Sequence, residues 1–293
     1  MTHPLPEALT LDVGGVALAA KRWRNGTRRV LALHGWLDNA GSFDYLAPLL
    51  DADIVALDLP GHGHSYHRTL QGTYNIWDDL PDILRAADAL GWQTFNVLGH
   101  SRGAIIAALL TATLPERIES IVMLDGVRPL TRPGEEFFEQ LALHLHEHLQ
   151  PANNATIYPT FEHALRARCI ATGLSVSAAR PIVERGLQQT AQGWIWRSDR
   201  RLLLASAMRL SEQHIAVMLQ KIVQKRHLLL LAEAGEGAMA ERRRQLAQDH
   251  TLRWESFHGG HHFQLEAQVA ALAKRINSFW GERKNVSGTA AAE

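Results

Sequence analysis

The chain contains 293 residues, which is long enough for one large α/β domain or for such a domain with an inserted subdomain. Its 30 lysines and arginines equal its 30 aspartates and glutamates, so a formal net charge of zero gives no reason to expect nucleic-acid or anionic-membrane binding. The single cysteine excludes an internal disulfide, and no run of about 18 apolar residues is present that would predict a membrane span. Because the sequence also shows no secretory signal pattern, we expect a cytoplasmic protein.

Strands and helices alternate along the first part of the chain. Two short strands surround Gly14-Gly15, and continuous apolar strands follow at 28–35, 53–63, 95–101 and 118–126. Helical patterns lie between them at 42–50, 76–91 and 102–115. Short connections and strands without polar alternation are typical of a mostly parallel sheet that is covered by helices on both faces.

The alternation stops after Asp125 and resumes about a hundred residues later. Residues 128–226 show helical patterns and no strong buried strand. A strand at 227–233, a helix at 238–249, a strand at 252–257 and a helix at 266–280 then complete the α/β pattern. We therefore predict one α/β core made of residues 1–127 and 227–293, with a helical insert at 128–226.

The segment VLGHSRGAI, at 97–105, places a serine between two glycines at a junction of strand and helix. This Gly-x-Ser-x-Gly pattern in that context is typical of a nucleophile elbow, in which a sharp turn projects the hydroxyl of Ser101 above the strand ends. Gly99 and Gly103 leave room for neighbouring backbone. The helix that begins at Arg102 directs free N–H groups towards the serine, where a developing anion could bind.

A serine nucleophile needs a base, which in this arrangement follows the last strand. The segment SFHGGHHFQLEAQ offers His258, His261 and His262 there. We favour His261 as the base, with His262 as the second choice.

The orienting acid is the less usual part of the pattern. The strand at 227–233 is followed by Glu233 and Glu236 but by no aspartate, whereas the strand after the elbow helix ends in Asp125. The carboxyl end of that strand lies next to the elbow in a parallel sheet, so its carboxylate can reach the histidine. We favour Asp125, and Glu236 remains the alternative.

An oxyanion hole needs main-chain N–H groups near the serine. We predict that Arg102 provides one and that Trp36, in the turn LALHGWLDN, provides the other. We assign His34, Gly35, Trp36 and His100 to the substrate-binding wall. The Arg102 side chain could select acidic or polar acyl groups, or it could pair with a residue of the insert.

The segments HGWLDNAGSFDYLAPLL, DLPGHGHS, LGHSRG, MLDG and GGHHFQLE together resemble the α/β-hydrolase superfamily. Among its members the chain is similar to the serine hydrolase-like protein group and to small intracellular esterases. The resemblance covers about residues 10–127 and 227–280. It implies an α/β-hydrolase fold with an eight-stranded sheet, and a helical cap formed by the insert. It also implies a triad of Ser101, Asp125 and His261.

A hydroxyl nucleophile suits acyl transfer, so we predict a serine hydrolase that cleaves carboxylic esters of a small molecule. The prediction includes no metal and no organic cofactor, and it leaves the natural substrate and the oligomeric state open. One alternative is a carbon–carbon bond, lactone or thioester hydrolase that uses the same residues. Another is a binding protein that keeps the α/β-hydrolase fold without catalysis.

Overall fold

The apolar strand segments of the sequence form one eight-stranded sheet. The structure is a computed structural model and describes residues 5–150, 155–233 and 238–282. Its strands are β1 (Glu7–Asp12), β2 (Ala17–Arg24), β3 (Arg29–Leu33), β4 (Asp53–Leu57), β5 (Phe95–His100), β6 (Ile118–Leu124), β7 (Leu187–Thr190), β8 (Gly193–Trp196), β9 (His227–Ala232) and β10 (Trp254–Phe257). The large sheet has the order β1-β2-β4-β3-β5-β6-β9-β10. Strands β1 and β2 pair antiparallel, β2 also pairs antiparallel with β4, and the remaining pairs are parallel.

Helices cover both faces of this sheet, as the sequence predicts. The helices of the described ranges, including those between β6 and β9, are α1 (Leu80–Ala89), α2 (Arg102–Thr113), α3 (Phe137–Leu149), α4 (Phe161–Thr172), α5 (Val176–Gly186), α6 (Glu212–Val223), α7 (Ala238–Asp249) and α8 (Val269–Gly281). Alternate residues of β3 enter opposite cores: Leu31 and Leu33 pack with α1 and α2, whereas Val30 and Ala32 pack with α8. Burial on both sides explains why the parallel strands lack polar alternation. No helix in the described ranges has both the length and the apolar character needed to cross a membrane.

The segment between β6 and β9 contains α3 to α6 and a small antiparallel hairpin of β7 and β8. The hairpin was not predicted, because its strands have only four residues each and no continuous apolar run. Helices α4 and α5 form a separate apolar cluster, in which Leu165 and Ile182 are buried. In contrast, Ile215 and Leu219 of α6 belong to the same core cluster as the sheet. The last helix of the insert therefore packs as part of the core.

Two predicted helices differ in the structure. Residues 42–50 form two short 3₁₀ turns, Ala40–Phe43 and Ala47–Leu49, in place of one helix. The Asn39 side chain caps the first turn, and Pro48 lies in the first turn of the second, where its missing N–H costs nothing. The helix predicted from residue 76 begins only at Leu80.

Candidate active site

The turn between β5 and α2 holds Ser101 in a strained conformation. Its φ is 52° and its ψ is −117°, a combination that residues with a side chain rarely adopt. The flanking glycines permit the close packing that holds this turn. A Cβ on Gly99 would lie 2.4 Å from the Ala104 Cα, and a Cβ on Gly103 would lie 2.0 Å from the Leu33 carbonyl oxygen. The Gly-x-Ser-x-Gly spacing therefore has a steric cause on both sides of the serine.

The structure brings the three favoured residues into one hydrogen-bonded line. The Oγ of Ser101 lies 3.0 Å from Nε2 of His261. The other ring nitrogen of His261, Nδ1, hydrogen-bonds to Oδ2 of Asp125. Asp125 follows β6, Ser101 follows β5, and these neighbouring parallel strands bring both residues to the same edge of the sheet. The arrangement has the geometry of a nucleophile, a base and an orienting acid.

The carboxylate of Asp125 is buried and held by several partners. The main-chain N–H of Ala232 donates to Oδ1 at 3.1 Å, and Nη1 of Arg243 lies 2.9 Å from Oδ2. The same Arg243 atom donates to the main-chain oxygen of Asp125 at 2.8 Å. Burial alone would raise the pKa of Asp125, but the hydrogen bond with His261 and the charge of Arg243 bring that pKa below its usual value. Asp125 is therefore ionised at neutral pH.

The alternative residues are not part of this line. His258 lies 3.4 Å from Glu233, and both of these side chains are at least half exposed. Glu236, the alternative acid, lies outside the described residues. His262 turns away from Ser101, and its Nε2 lies 3.1 Å from Oδ2 of Asp38.

The turn after β3 carries one of the two predicted oxyanion donors, Trp36, and the other, Arg102, begins α2. Leu37 has a φ of 58°, and its N–H donates to Nε2 of His62 at 3.3 Å, so this N–H is already used. Within residues 5–150, 155–233 and 238–282, no protein acceptor bonds to the main-chain N–H of Trp36 or of Arg102. These two N–H groups have the free donor capacity that an oxyanion hole requires.

Two of the predicted substrate-binding residues do not reach the site surface. His34 and His100 are fully buried, and neither contributes to the cavities beside Ser101. Nδ1 of His34 donates to the Gly35 oxygen at 2.7 Å, and Nε2 of His100 donates to the His261 oxygen at 2.8 Å. Burial lowers the pKa of His100 to about 4, so its ring is neutral at pH 7. Their prediction as binding residues is corrected: both histidines hold main chain.

The other two predicted binding residues behave differently from each other. Gly35 is buried, and a Cβ there would lie 3.1 Å from Oδ2 of Asp38 and from Nδ1 of His100. Trp36 is half exposed and contributes to the wall of a cavity at Ser101. Its indole Nε1 donates to the Leu202 oxygen at 3.0 Å, which ties this wall to the insert.

Sequence reasoning missed a buried polar cluster beneath the site. Asp38 accepts a hydrogen bond from Arg168 of α4 on one carboxylate oxygen and lies beside His262 and His100 on the other. The charge of His262, the hydrogen bond with His262 and the charge of Arg168 offset burial and keep the pKa of Asp38 well below its usual value. His100, His262 and Asp38 are close enough to hold a metal ion. Because Arg168 and His262 already occupy both oxygens, we interpret the cluster as an ion-pair network.

The Arg102 side chain is paired, although not with the insert. Its Nη1 lies 2.8 Å from Oδ2 of Asp79, which immediately precedes α1. Asp79 also pairs with Arg68 at 3.3 Å. The Arg102 charge is therefore balanced inside the core, which weighs against its use in selecting acidic acyl groups.

Two cavities meet at Ser101. The larger, of about 600 Å³, extends under the insert and includes Trp36, Arg102 and Leu143 in its wall. The smaller, of about 250 Å³, includes Asp125 and Arg243. A nucleophile between two cavities can accept a substrate with one group on each side of the bond that breaks.

Comparison with known proteins identifies the class of this fold and site. A family profile described as alpha/beta hydrolase fold matches residues 28–167. A crystal structure of a hypothetical protein from Pseudomonas aeruginosa is 37% identical and has a TM-score of 0.90, and the match covers 94% of this chain and 100% of that chain. The chain belongs to the α/β-hydrolase family.

Two relatives of the chain have more specific names than the family does. A serine hydrolase-like protein of Dictyostelium discoideum is 29% identical, over 97% of this chain and 84% of the relative. A serine hydrolase-like protein of Danio rerio is 34% identical, over 71% of this chain and 66% of the relative. The family and these relatives support a hydrolase that acts on small molecules.

Proposed function

We propose that the protein is a serine hydrolase that cleaves carboxylic esters of small molecules through an acyl-enzyme on Ser101. The hydrogen-bonded line from Ser101 through His261 to Asp125 carries this proposal. A serine hydroxyl is a weak nucleophile by itself, and this line supplies both the base and the group that orients it. The relatives named serine hydrolase-like are consistent with this chemistry.

The reaction begins when Nε2 of His261 accepts the proton of Ser101 as Oγ attacks the acyl carbon. Asp125 accepts a hydrogen bond from Nδ1–H of His261, which fixes the tautomer that has a free lone pair on Nε2. Collapse of the tetrahedral intermediate breaks the bond to the alcohol, and His261 gives its proton to the departing oxygen. Water, activated by the same histidine, then releases the acid and restores Ser101.

The developing oxyanion is stabilised by the main-chain N–H groups of Trp36 and Arg102. The free donor capacity of both groups supports this assignment, as does the position of Arg102 as the first residue of α2. The N-terminus of α2 adds its positive dipole end at the same place.

The part of the insert at 128–226 that precedes α6 serves as a cap over this site. Leu130 and Leu143 from its first part, together with Leu202 and Leu210 from its later part, contribute to the wall of the larger cavity. The cap therefore provides binding surface for the substrate, while the reacting groups come from the core.

Labelling with a small fluorophosphonate probe, followed by peptide mapping, tests the proposal together with hydrolysis of p-nitrophenyl acetate. We expect the label on Ser101 in the wild type and no label in Ser101→Ala. His261→Ala and Asp125→Asn should each reduce kcat by about 10³-fold or more, because the residues act as a unit.

Glu236→Gln is the matched control, since it removes the alternative acid and should leave kcat within about twofold of the wild type. Loss of activity in Glu236→Gln but not in Asp125→Asn would assign the acid role to Glu236. A folded wild type that takes no label and hydrolyses no ester would overturn the proposed function.

A further inference from the structure

The two cavities at Ser101 differ in size. The larger one has more than twice the volume of the smaller, about 600 Å³ against about 250 Å³. Six leucines contribute to the apolar part of its wall, and they are Leu130, Leu143, Leu202, Leu203, Leu204 and Leu210. The smaller cavity includes Arg128, Thr131 and Arg243, and it shares Ile105, Pro129 and Leu130 with the larger one. An ester placed across Ser101 would therefore have one long arm and one short arm.

The charged groups at the larger cavity do not demand a charged ligand. Arg102 is paired with Asp79, and the other two charged residues in the wall, Glu147 and Arg209, carry opposite signs. Exposed apolar side chains dominate the remaining surface, and they are Trp36, Leu130, Leu143, Leu203 and Met208. Each of these side chains is at least 40% exposed in the absence of a ligand. An apolar chain would remove this surface from water, which stabilises the complex.

The orientation of an ester follows from where the proton must go. His261 protonates the departing alcohol oxygen, so the alcohol must leave on the His261–Asp125 side. Asp125 and Arg243 belong to the smaller cavity. The carbonyl oxygen must point to the N–H groups of Trp36 and Arg102, and both residues belong to the larger cavity. With the alcohol in the smaller cavity, the acyl chain, which is the remaining substituent of the carbonyl carbon, extends into the larger cavity.

We infer that the substrates are esters of an extended apolar carboxylic acid with a small alcohol, a conclusion that rests on the proposed function. The acyl chain occupies the cavity under the cap, and Leu143 of α3 is a specificity-determining residue. The alcohol occupies the smaller cavity beside Arg243.

Two isomeric esters test this orientation directly. Ethyl octanoate and octyl acetate have the same composition and nearly the same hydrophobicity, but they carry the long chain on opposite sides of the scissile bond. We expect kcat/KM, measured by pH-stat titration of the released acid, to be at least about tenfold higher for ethyl octanoate. An equal value for the two esters, or a preference for octyl acetate, would overturn the inference.

A pair of variants on one helix tests the role of Leu143. Leu143→Gln should lower the ratio of kcat/KM for ethyl octanoate to that for ethyl acetate by about threefold or more, because it places an amide in the apolar wall. Leu145→Gln is the matched control, since Leu145 is on the same helix, is 52% exposed and lies outside this cavity. Its ratio should equal that of the wild type. Equal ratios in both variants would remove Leu143 from the acyl site.

The outcomes separate this inference from the proposed function. Labelling of Ser101 and hydrolysis of ethyl acetate with no gain for ethyl octanoate would leave the serine hydrolase standing and overturn the acyl-chain assignment. Absence of both labelling and hydrolysis would overturn the proposed function itself.

Discussion

Ser101 and Asp125 both have positive φ values, 52° and 46°, at the ends of neighbouring strands. Such conformations cost about 1–3 kcal/mol each in residues other than glycine, and the surrounding structure must hold them. The N–H of Ser101 donates to the Leu124 oxygen, and the N–H of Asp125 donates to the Leu230 oxygen, both at 2.8 Å. The sheet thus continues one hydrogen bond beyond each strand and fixes both functional side chains.

Arg243 acts on Asp125 directly, because its guanidinium contacts both the carboxylate and the main-chain oxygen of Asp125. Arg243→Met should raise the pKa of Asp125 and loosen its orientation. We expect about a tenfold loss of kcat/KM at pH 7, and an acid limb of the pH–rate profile that moves to higher pH, because this limb reports protonation of the coupled His261–Asp125 pair and loss of a nearby positive charge favours the protonated form. Steady-state kinetics from pH 4.5 to 9 would measure both effects.

Arg243→Lys keeps the positive charge and serves as the control for this variant. It should keep the acid limb close to its wild-type position even if kcat falls, because the charge is retained while the shorter side chain does not place its nitrogen where Nη1 of Arg243 lies. An unchanged acid limb in Arg243→Met would show that Arg243 has no electrostatic influence on the His261–Asp125 pair.

At the scale of elements, buried ion pairs join two helices of the insert to loops at the edge of the sheet. Arg168 of α4 binds Asp38, and Nε of Arg185 of α5 lies 2.8 Å from Oδ1 of Asp58. Asp58 is fully buried and also accepts hydrogen bonds from the N–H groups of Ala40 and His64. These helices are therefore docked through charges whose separation is costly, unlike a freely moving lid.

Arg185→Met should destabilise the protein by about 3–5 kcal/mol, because it leaves the Asp58 charge buried and uncompensated. Adding Asp58→Asn should restore part of that loss. Arg180→Met on the same helix is the control, since Arg180 pairs with Glu184 at the surface and its loss should cost less than about 1 kcal/mol. Urea unfolding would give the three values. A cost for Arg185→Met equal to that of Arg180→Met would contradict the docking argument.

At the scale of the whole molecule, periodicity predicted a mostly parallel sheet covered by helices on both faces, and the resemblance implied the eight-stranded α/β-hydrolase arrangement. The Gly-x-Ser-x-Gly pattern and the chain order of the other groups predicted the residues gathered at Ser101. The contacts of Arg243 and Arg168 could not be predicted. Each joins residues more than 100 positions apart, and the sequence does not distinguish a helical arginine that is paired in the interior from one that is solvated. The burial of His34 and His100 was missed because the pattern around a glycine turn does not indicate which side chain faces the solvent.

The same buried histidines make the stability of the whole molecule depend on pH. Burial lowers the pKa of His34, His62 and His100, the last to about 4. In the unfolded chain a histidine titrates near 6.5, so below that pH the unfolded state binds protons that the native state does not. The free energy of unfolding must therefore fall as the pH decreases from about 6.5 towards 4. His100 alone should account for about 2 kcal/mol of this loss at pH 5.

Urea unfolding at pH 7.5 and at pH 5 would measure this loss, with His100→Gln as the comparison. The variant lacks the titrating ring, and its amide can still donate a hydrogen bond to the His261 oxygen. We expect the variant to be less stable than the wild type at pH 7.5, because a packed ring is lost, but to lose about 2 kcal/mol less between the two pH values. An identical pH dependence in both proteins would mean that the pKa of His100 is the same in the native and unfolded states, which would contradict the exclusion of a proton from this buried ring.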